Sequence, residues 1–171
     1  MQATPENAQQ LRVLFLNSLS HNNEIRKAAE DQLQSNFMGM QALGGFGAVL
    51  LLLIRQLSIP SAAPEDVAIR QSASVFFKNY VKKRWPLPKR AAPDGSEQFY
   101  YPDPSELEED EILPIAHEDR DTIKSLLVDL LCTTPMDVQK QLAESMSIVA
   151  AQDFPYQWSG LLPQLVEKLN T

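Results

Sequence analysis

Residues 69–85 read Ile-Arg-Gln-Ser-Ala-Ser-Val-Phe-Phe-Lys-Asn-Tyr-Val-Lys-Lys-Arg-Trp, and Pro86 follows directly. Ile69, Ala73 and Tyr80 recur at helical spacing, so the stretch predicts an α-helix with one buried face. Pro86 ends this helix, because proline lacks the amide proton and clashes with the preceding turn. The segment therefore indicates a helix that packs against neighbours along one side.

Two other segments repeat this pattern, in which a β-branched residue precedes polar positions and small residues. They are residues 25–30, Ile-Arg-Lys-Ala-Ala-Glu, and residues 138–143, Val-Gln-Lys-Gln-Leu-Ala. The first spacing, from Ile25 to Ile69, is 44 residues, within the roughly 40–47 of HEAT and armadillo repeats. The next, from Ile69 to Val138, is 69 residues. Residues 86–115 account for the excess, because their six prolines exclude a continuous helix.

The period predicts an all-α fold, a right-handed HEAT-repeat α-solenoid of about three and a half helix pairs with a long acidic, proline-rich loop. The leucine-rich helix near the end has no predicted partner, so we expect the chain to be the front of a longer protein. The expected divisions are repeat 1 at about 4–38, repeat 2 at about 40–85, an insertion at about 86–116, repeat 3 at about 118–151, and the first helix of repeat 4 at about 155–170.

Local signals set the expected helix ends. Thr4 can cap a first helix, and Asn22 or Asn23 can cap the second, which we expect to end near Gly39. Thr134 begins a sequence that resembles a capping box. The third helix, at about 40–57, is apolar almost all round and should be sandwiched between neighbours. The predicted buried stripe of the second helix is Ile25, Ala29, Leu33 and Phe37.

Composition and charge exclude several classes of protein. The 171 residues carry a formal net charge of −7, which argues against nucleic acid as a partner. The longest apolar stretch, residues 42–54, is shorter than the roughly 20 residues of a membrane-spanning helix, so no membrane insertion is expected. A single cysteine, Cys132, favours a reducing compartment, and we expect its thiol to be buried at a helix end. Nucleus and cytoplasm fit best.

The chain offers no convincing catalytic or metal-binding motif. Residues 44–47, Gly-Gly-Phe-Gly, lack the preceding strand and following lysine of a phosphate-binding loop. The acidic run 106–111 lacks the glycine and ligand spacing of an EF-hand. His21 and His117 each precede a predicted helix and are expected to face solvent. We therefore predict that the protein is not an enzyme and that it uses no cofactor and no metal.

The sign of the side-chain charges changes from positive to negative after the fourth predicted helix. Residues 78–90 contain six basic side chains and no acidic one, whereas the following stretch is strongly negative. Lys78 and Lys82 lie one helical turn apart, on the face away from Phe76 and Phe77, and could present a positive face to an acidic partner. A solvated face balanced by the acidic loop remains an equal alternative.

These motifs resemble the amino-terminal region of the importin-β superfamily of nuclear transport receptors. The family pattern in the decisive stretch corresponds to Arg70, Ala73, Phe77, Lys78, Asn79 and Trp85. Arg26, Ala29-Glu30 and Leu33 resemble the first-repeat motif, and Asp153-Phe154-Pro155 with Trp158 resembles the opening of the fourth repeat. Within the superfamily, the chain is most similar to the receptors that return importin-α to the cytoplasm.

The resemblance implies a receptor that shuttles between nucleus and cytoplasm, binds Ran-GTP and carries importin-α as cargo, with nucleoporins as further partners. The second helix of each repeat would line the concave surface, and Trp85 and Trp158 would lie in the core. Two alternatives remain: an importin of the same superfamily, and a HEAT scaffold unrelated to transport. Arg70 or Asn79 could instead tie neighbouring repeats together. The candidate Ran-binding residues are Arg26, Glu30, Arg70, Lys78, Asn79 and Lys82.

Overall fold

The computed structural model describes residues 1–38 and 44–171. Within these ranges the chain forms seven α-helices and one short two-stranded antiparallel sheet. The helices are α1 (Pro5–Ser18), α2 (Asn23–Met38), α3 (Phe46–Leu57), α4 (Pro64–Arg84), α5 (His117–Thr133), α6 (Met136–Asp153) and α7 (Leu161–Leu169); the strands are β1 (Lys89–Ala91) and β2 (Glu97–Phe99), and a 3₁₀ turn spans Pro104–Glu106.

The helices stack as pairs in two layers. Helices α1, α3, α5 and α7 contact one another in succession, and α4 packs on α6 in the second layer. Within the pairs, α1 packs on α2, α3 on α4 and α5 on α6. This arrangement confirms the predicted all-α solenoid of stacked helix pairs.

Helix α3 is the centre of the core. It contacts α1, α4 and α5, which confirms that a helix apolar all round is enclosed by neighbours. Its Gly47 allows this close approach, because a Cβ atom there would lie 2.7 Å from Ile123 Cδ1 and 3.0 Å from Tyr80 Cε1. Trp85 and Trp158, at 0% and 5% exposure, are core residues as predicted.

Several predicted helix ends agree with the structure and several do not. Thr4 Oγ1 accepts from Asn7 N, and Asn22 Oδ1 accepts from Glu24 N at 2.9 Å. The capping box at Thr134 is wrong, because this hydroxyl donates to Leu130 O at 2.8 Å and closes α5 instead. Helix α7 begins at Leu161 rather than near residue 155, since residues 154–157 form a turn.

Other sequence expectations concern the region around the second helix and the cysteine. The predicted end near Gly39, the start of the third helix near residue 40 and the buried position of Phe37 lie outside the described residues; Gly45 precedes α3 in a turn. Ala29 and Leu33 are buried as expected, but Ile25 in the first turn of α2 is 45% exposed. The expectation for Cys132 is wrong, because its side chain is exposed near the end of α5.

The insertion after α4 contains more structure than the predicted loop. Strands β1 and β2 pair with Lys89 opposite Phe99, and Gly95 takes a positive φ of 84° in the connecting turn. The far end of the insertion is fixed to the helices, because the Arg84 guanidinium donates to Leu113 O at 2.8 and 2.9 Å and Ile115 N donates to Arg84 O. No described helix is both long and apolar enough to cross a bilayer.

Candidate functional site

A surface groove separates α2 from α4 and has part of α1 as its floor. One section has a volume of about 530 Å³, and an adjoining section of about 620 Å³ extends it toward the C-terminal end of α4. The two sections share Gln34, Phe76 and Asn79, so they form one continuous depression, called here the α2–α4 groove. Its volume is sufficient to accept several side chains of a partner.

The floor of the α2–α4 groove is apolar and held in place by aromatic packing. The Phe76 ring meets the Phe15 ring edge-to-face at 5.7 Å and the Phe46 ring at 6.1 Å. Such contacts fix the orientation of the ring beyond what burial alone does. Val75, 41% exposed on the same helix, adds apolar surface at the edge of the floor.

Three of the six candidate Ran-binding residues meet at this groove. Glu30 and Asn79 line its first section, and Asn79 and Lys82 line the second. Arg26 lies one turn before Glu30, with its Nε 3.9 Å from Glu30 Oε1, and its Nη2 donates to Asn23 Oδ1. The groove therefore joins an apolar floor to a carboxylate, an amide and an ammonium group.

Arg70 occupies a different environment, between α4 and α6. It is 7% exposed, its Nε and Nη2 donate to the two Asp137 oxygens at 3.0 and 3.1 Å, and its Nη1 donates to Leu57 O at 3.2 Å. Partial burial acts to raise the pKa of Asp137, but the hydrogen bonds and charge of Arg70 hold it below its ordinary value. These contacts connect two neighbouring helix pairs, which corresponds to the alternative role considered for Arg70.

Lys78 also reaches toward α6. Its Nζ lies 3.2 Å from Glu144 Oε2, and both side chains remain partly exposed. Ion pairs of this kind contribute little to stability and can be exchanged for contacts with a partner. Lys78 therefore differs from both the groove residues and the buried Arg70, because it lies near the surface but is already paired within the chain.

Comparison with known proteins identifies the family. The family model described as importin-beta N-terminal domain matches residues 29–133, which is more than half of the chain. This chain belongs to the importin-β family. The match spans α2 to α5 and so includes both walls of the α2–α4 groove.

Individual members of the importin-β family align over nearly the whole chain. A protein of Dictyostelium discoideum named probable importin-7 homolog is 32% identical over 158 residues, 92% of this chain and 12% of that protein. Exportin-2 of Drosophila melanogaster is 30% identical over 168 residues, 98% of this chain and 14% of that protein. The chain therefore spans about one-seventh of the length of these relatives.

A solved structure of the importin-β family shares the fold. The structure described as the exportin Cse1 in its cargo-free, cytoplasmic state superimposes with a TM-score of 0.67 over 94% of this chain and 14% of that chain, at 21% identity. Identity at this level supports the architecture and no finer conclusion.

The structure adds groove residues that sequence reasoning missed. Gln71, Val75 and Lys83 line the groove beside the predicted Asn79. These four residues follow one another at intervals of four, so they form one stripe of α4 that helical spacing alone could have identified. Gln34 of α2 completes the opposite wall. Among the described residues, no group of three or more His, Cys, Asp or Glu side chains could hold a metal ion.

Proposed function

We propose that this chain is the amino-terminal part of a nuclear transport receptor and that the α2–α4 groove binds Ran in its GTP-bound form. The observation that carries the proposal is the position of Glu30, Asn79 and Lys82 around one apolar-floored groove in a chain of the importin-β family. A binding surface of this kind combines apolar anchor sites with polar groups at the edge. It requires no catalytic residue.

The six candidate residues divide into two roles under this proposal. Glu30, Asn79 and Lys82 contact Ran directly, and Arg26 orients Glu30 from one turn away. Lys78 exchanges Glu144 for an acidic group of Ran. Arg70 acts indirectly, because its contacts with Asp137 and Leu57 hold α4 on the following pair.

The whole protein would carry importin-α out of the nucleus, shuttle between nucleus and cytoplasm, and contact nucleoporins on the way. A relative named Exportin-2, which is 30% identical over 98% of this chain, supports this direction of transport. GTP-bound Ran would raise affinity for cargo through linkage between two binding sites, and hydrolysis would release it.

Calorimetry tests Ran binding directly. The 171-residue chain is titrated with Ran loaded with a non-hydrolysable GTP analogue or with GDP, at two salt concentrations. We expect preference for the GTP form and weaker binding by Lys82→Glu, because a reversed charge at the groove repels an acidic partner. Lys27→Glu, an exposed position on α2 that does not line the groove, is the matched control. Equal loss in both variants, or equal affinity for both nucleotide states, would contradict the proposal.

An importin is the second candidate, because one relative is named probable importin-7 homolog and is 32% identical. The two candidates differ in the sign of the linkage between Ran and cargo. With the full-length protein, cargo affinity should rise on adding GTP-bound Ran for an exportin and should fall for an importin. Cargo affinity that does not change on adding GTP-bound Ran would argue against both kinds of transport receptor and would favour a scaffold function.

A further inference from the structure

The insertion after α4 forms a second groove that the proposed function does not use. It lies between the end of α4 and the segment 100–114, with a volume of about 450 Å³. Four prolines and the side chains of Tyr100, Leu107 and Ile112 supply most of its lining. This set of residues is called here the insertion groove. Its size is that of a site for one or two side chains of a bound peptide.

The rim of the insertion groove is acidic. Glu106, Asp110 and Glu111 stand at its edge, opposed by one cation, Lys83. All three carboxylates are exposed, and none forms an ion pair with any residue in the described ranges 1–38 and 44–171. Glu111 accepts a hydrogen bond from Glu108 N at 3.0 Å, which holds the turn that carries the rim. The groove therefore presents an excess of negative charge above an apolar floor.

Tyr100 shows which kind of cation suits this surface. The Arg90 guanidinium lies 4.9 Å from the centroid of the Tyr100 ring. A guanidinium is planar, weakly hydrated and able to bond a carboxylate through two donors, whereas an ammonium is a compact hydrated charge. Tyr100 therefore brings an aromatic ring to the lining of the groove, and this ring already lies at cation–π distance from one guanidinium.

We propose that the insertion groove binds an arginine-containing, otherwise apolar segment of a protein partner. The arginine methylenes lie on Leu107 and Ile112, and the guanidinium lies between the rim carboxylates. Charge complementarity with Glu106, Asp110 and Glu111 selects this occupant over an acidic or neutral one. The inference does not depend on Ran, because Lys83 alone among the described residues lines both grooves.

Fluorescence anisotropy with the intact 171-residue chain tests the proposal. The probe is a labelled peptide that alternates arginine with leucine and proline; the comparison peptide carries citrulline, which has nearly the same shape and no charge. We expect the arginine peptide to bind about tenfold more tightly than the citrulline peptide, and its affinity to fall between about 50 and about 300 mM salt. Failure of the arginine peptide to bind, or equal binding of both peptides, overturns the proposal.

Two triple variants with the same net charge locate the site. The rim variant combines Glu106→Gln, Asp110→Asn and Glu111→Gln, and the control combines Asp31→Asn, Glu118→Gln and Glu167→Gln at exposed positions away from the groove. We expect about tenfold weaker binding in the rim variant and a change of less than about twofold in the control. Leu107→Ser should also weaken binding, since it removes part of the floor. Equal loss in both triple variants would mean that net charge alone attracts the peptide and would refute the assigned site.

Discussion

The junction between the first two helix pairs and the junction between the second and third use their polar groups in opposite ways. At the first junction, Arg12 of α1 pairs with Glu65 and Asp66 at the start of α4, with each side chain partly exposed. At the second, Trp85 Nε1, just after α4, donates to Asp153 Oδ1 of α6 at 3.1 Å, and Lys124 Nζ of α5 lies 2.7 Å from Oδ2 of the same buried carboxylate. The first junction leaves the α2–α4 groove open beside it, whereas the second has a smaller depression of about 240 Å³ beside its buried charges.

The second junction gathers groups from four parts of the chain around one carboxylate. Asp153, at the end of α6, accepts from Trp85 Nε1 at 3.1 Å as well as from Lys124, and Lys124 also donates to Gln157 O. Arg120 donates to Trp85 O and to Ile115 O, so the end of the insertion is hydrogen-bonded to the same network. Buried charges lose water and must be paired, so this arrangement rigidifies the join. The difference agrees with the proposal that a partner binds beside the first junction, whereas the buried network makes the second junction rigid.

Removal of the Asp153 carboxylate should cause the largest loss of stability at the second junction. Asp153→Ala leaves the Lys124 ammonium buried without its carboxylate, and we expect a loss of about 3–5 kcal/mol in the free energy of unfolding. Urea denaturation followed by circular dichroism measures this loss. Asp31→Ala, on the exposed side of α2, should change stability by less than about 0.5 kcal/mol. A loss below about 1 kcal/mol for Asp153→Ala would mean that the network is not what holds this junction.

A substitution of Arg70 tests the partly buried edge of the second junction. Arg70→Gln removes the paired donors to Asp137 and the donor to Leu57 O, and we expect a loss of about 1.5–3 kcal/mol at neutral pH. The acid limb of the stability curve carries further information. Because Arg70 holds the folded-state pKa of Asp137 below its unfolded value, this contribution is present above pH about 3.9 and is lost as the pH falls through the folded-state pKa.

Unfolding free energies of both forms at several pH values measure that contribution. The difference between wild type and Arg70→Gln should be greatest at neutral pH and should shrink on acidification below pH about 4, because protonated Asp137 no longer gains from the guanidinium. Lys78→Gln, whose partner Glu144 is exposed, serves as the control and should cost less than about 1 kcal/mol. A difference that stays constant down to low pH would show that Arg70 acts through packing alone.

Arg12 should give the smallest effect. Its ion pairs with Glu65 and Asp66 are partly solvated, so Arg12→Gln should cost about 0.2–1 kcal/mol and the loss should diminish in high salt. Thermal denaturation at low and high ionic strength measures both quantities. A salt-independent loss above about 2 kcal/mol would mean that Arg12 stabilises the first junction as strongly as the buried charges stabilise the second. The proposed difference between the two junctions would then be wrong.

The amino-acid sequence predicts the helices and their pairing well, because caps, apolar spacing and the repeat period are local or regular signals. The caps at Thr4 and Asn22 and the buried positions of Ala29 and Leu33 follow from these rules, although Ile25 of the same predicted stripe is exposed. Trp85 and Trp158 were placed in the core through the family resemblance, and both are buried. The fold is thus recoverable from patterns that repeat along the chain.

Long-range polar contacts could not be predicted in this way. Arg70 and Asp137 are 67 residues apart, and no local pattern relates a guanidinium on one helix to a carboxylate two helices later. The Thr134 motif failed because its hydroxyl has two helix ends within reach and bonds the earlier one. The hairpin was missed because both strands are short, exposed and polar, although Asp94-Gly95 between them is a typical turn signal. Half of the predicted site converges on the α2–α4 groove, and the stripe of α4 from Gln71 to Lys83 extends it.

Trp85 gives the second junction an optical signature. The chain has two tryptophans, and Trp85 lies with its ring 4.5 Å from the Arg120 guanidinium and its indole N–H on Asp153. Any rearrangement that parts the second and third helix pairs transfers this indole from a charged, dry environment to water and shifts its emission to longer wavelength. With Trp158 replaced by phenylalanine, the chain would carry a single tryptophan, whose emission reports the bending of the solenoid at one defined joint.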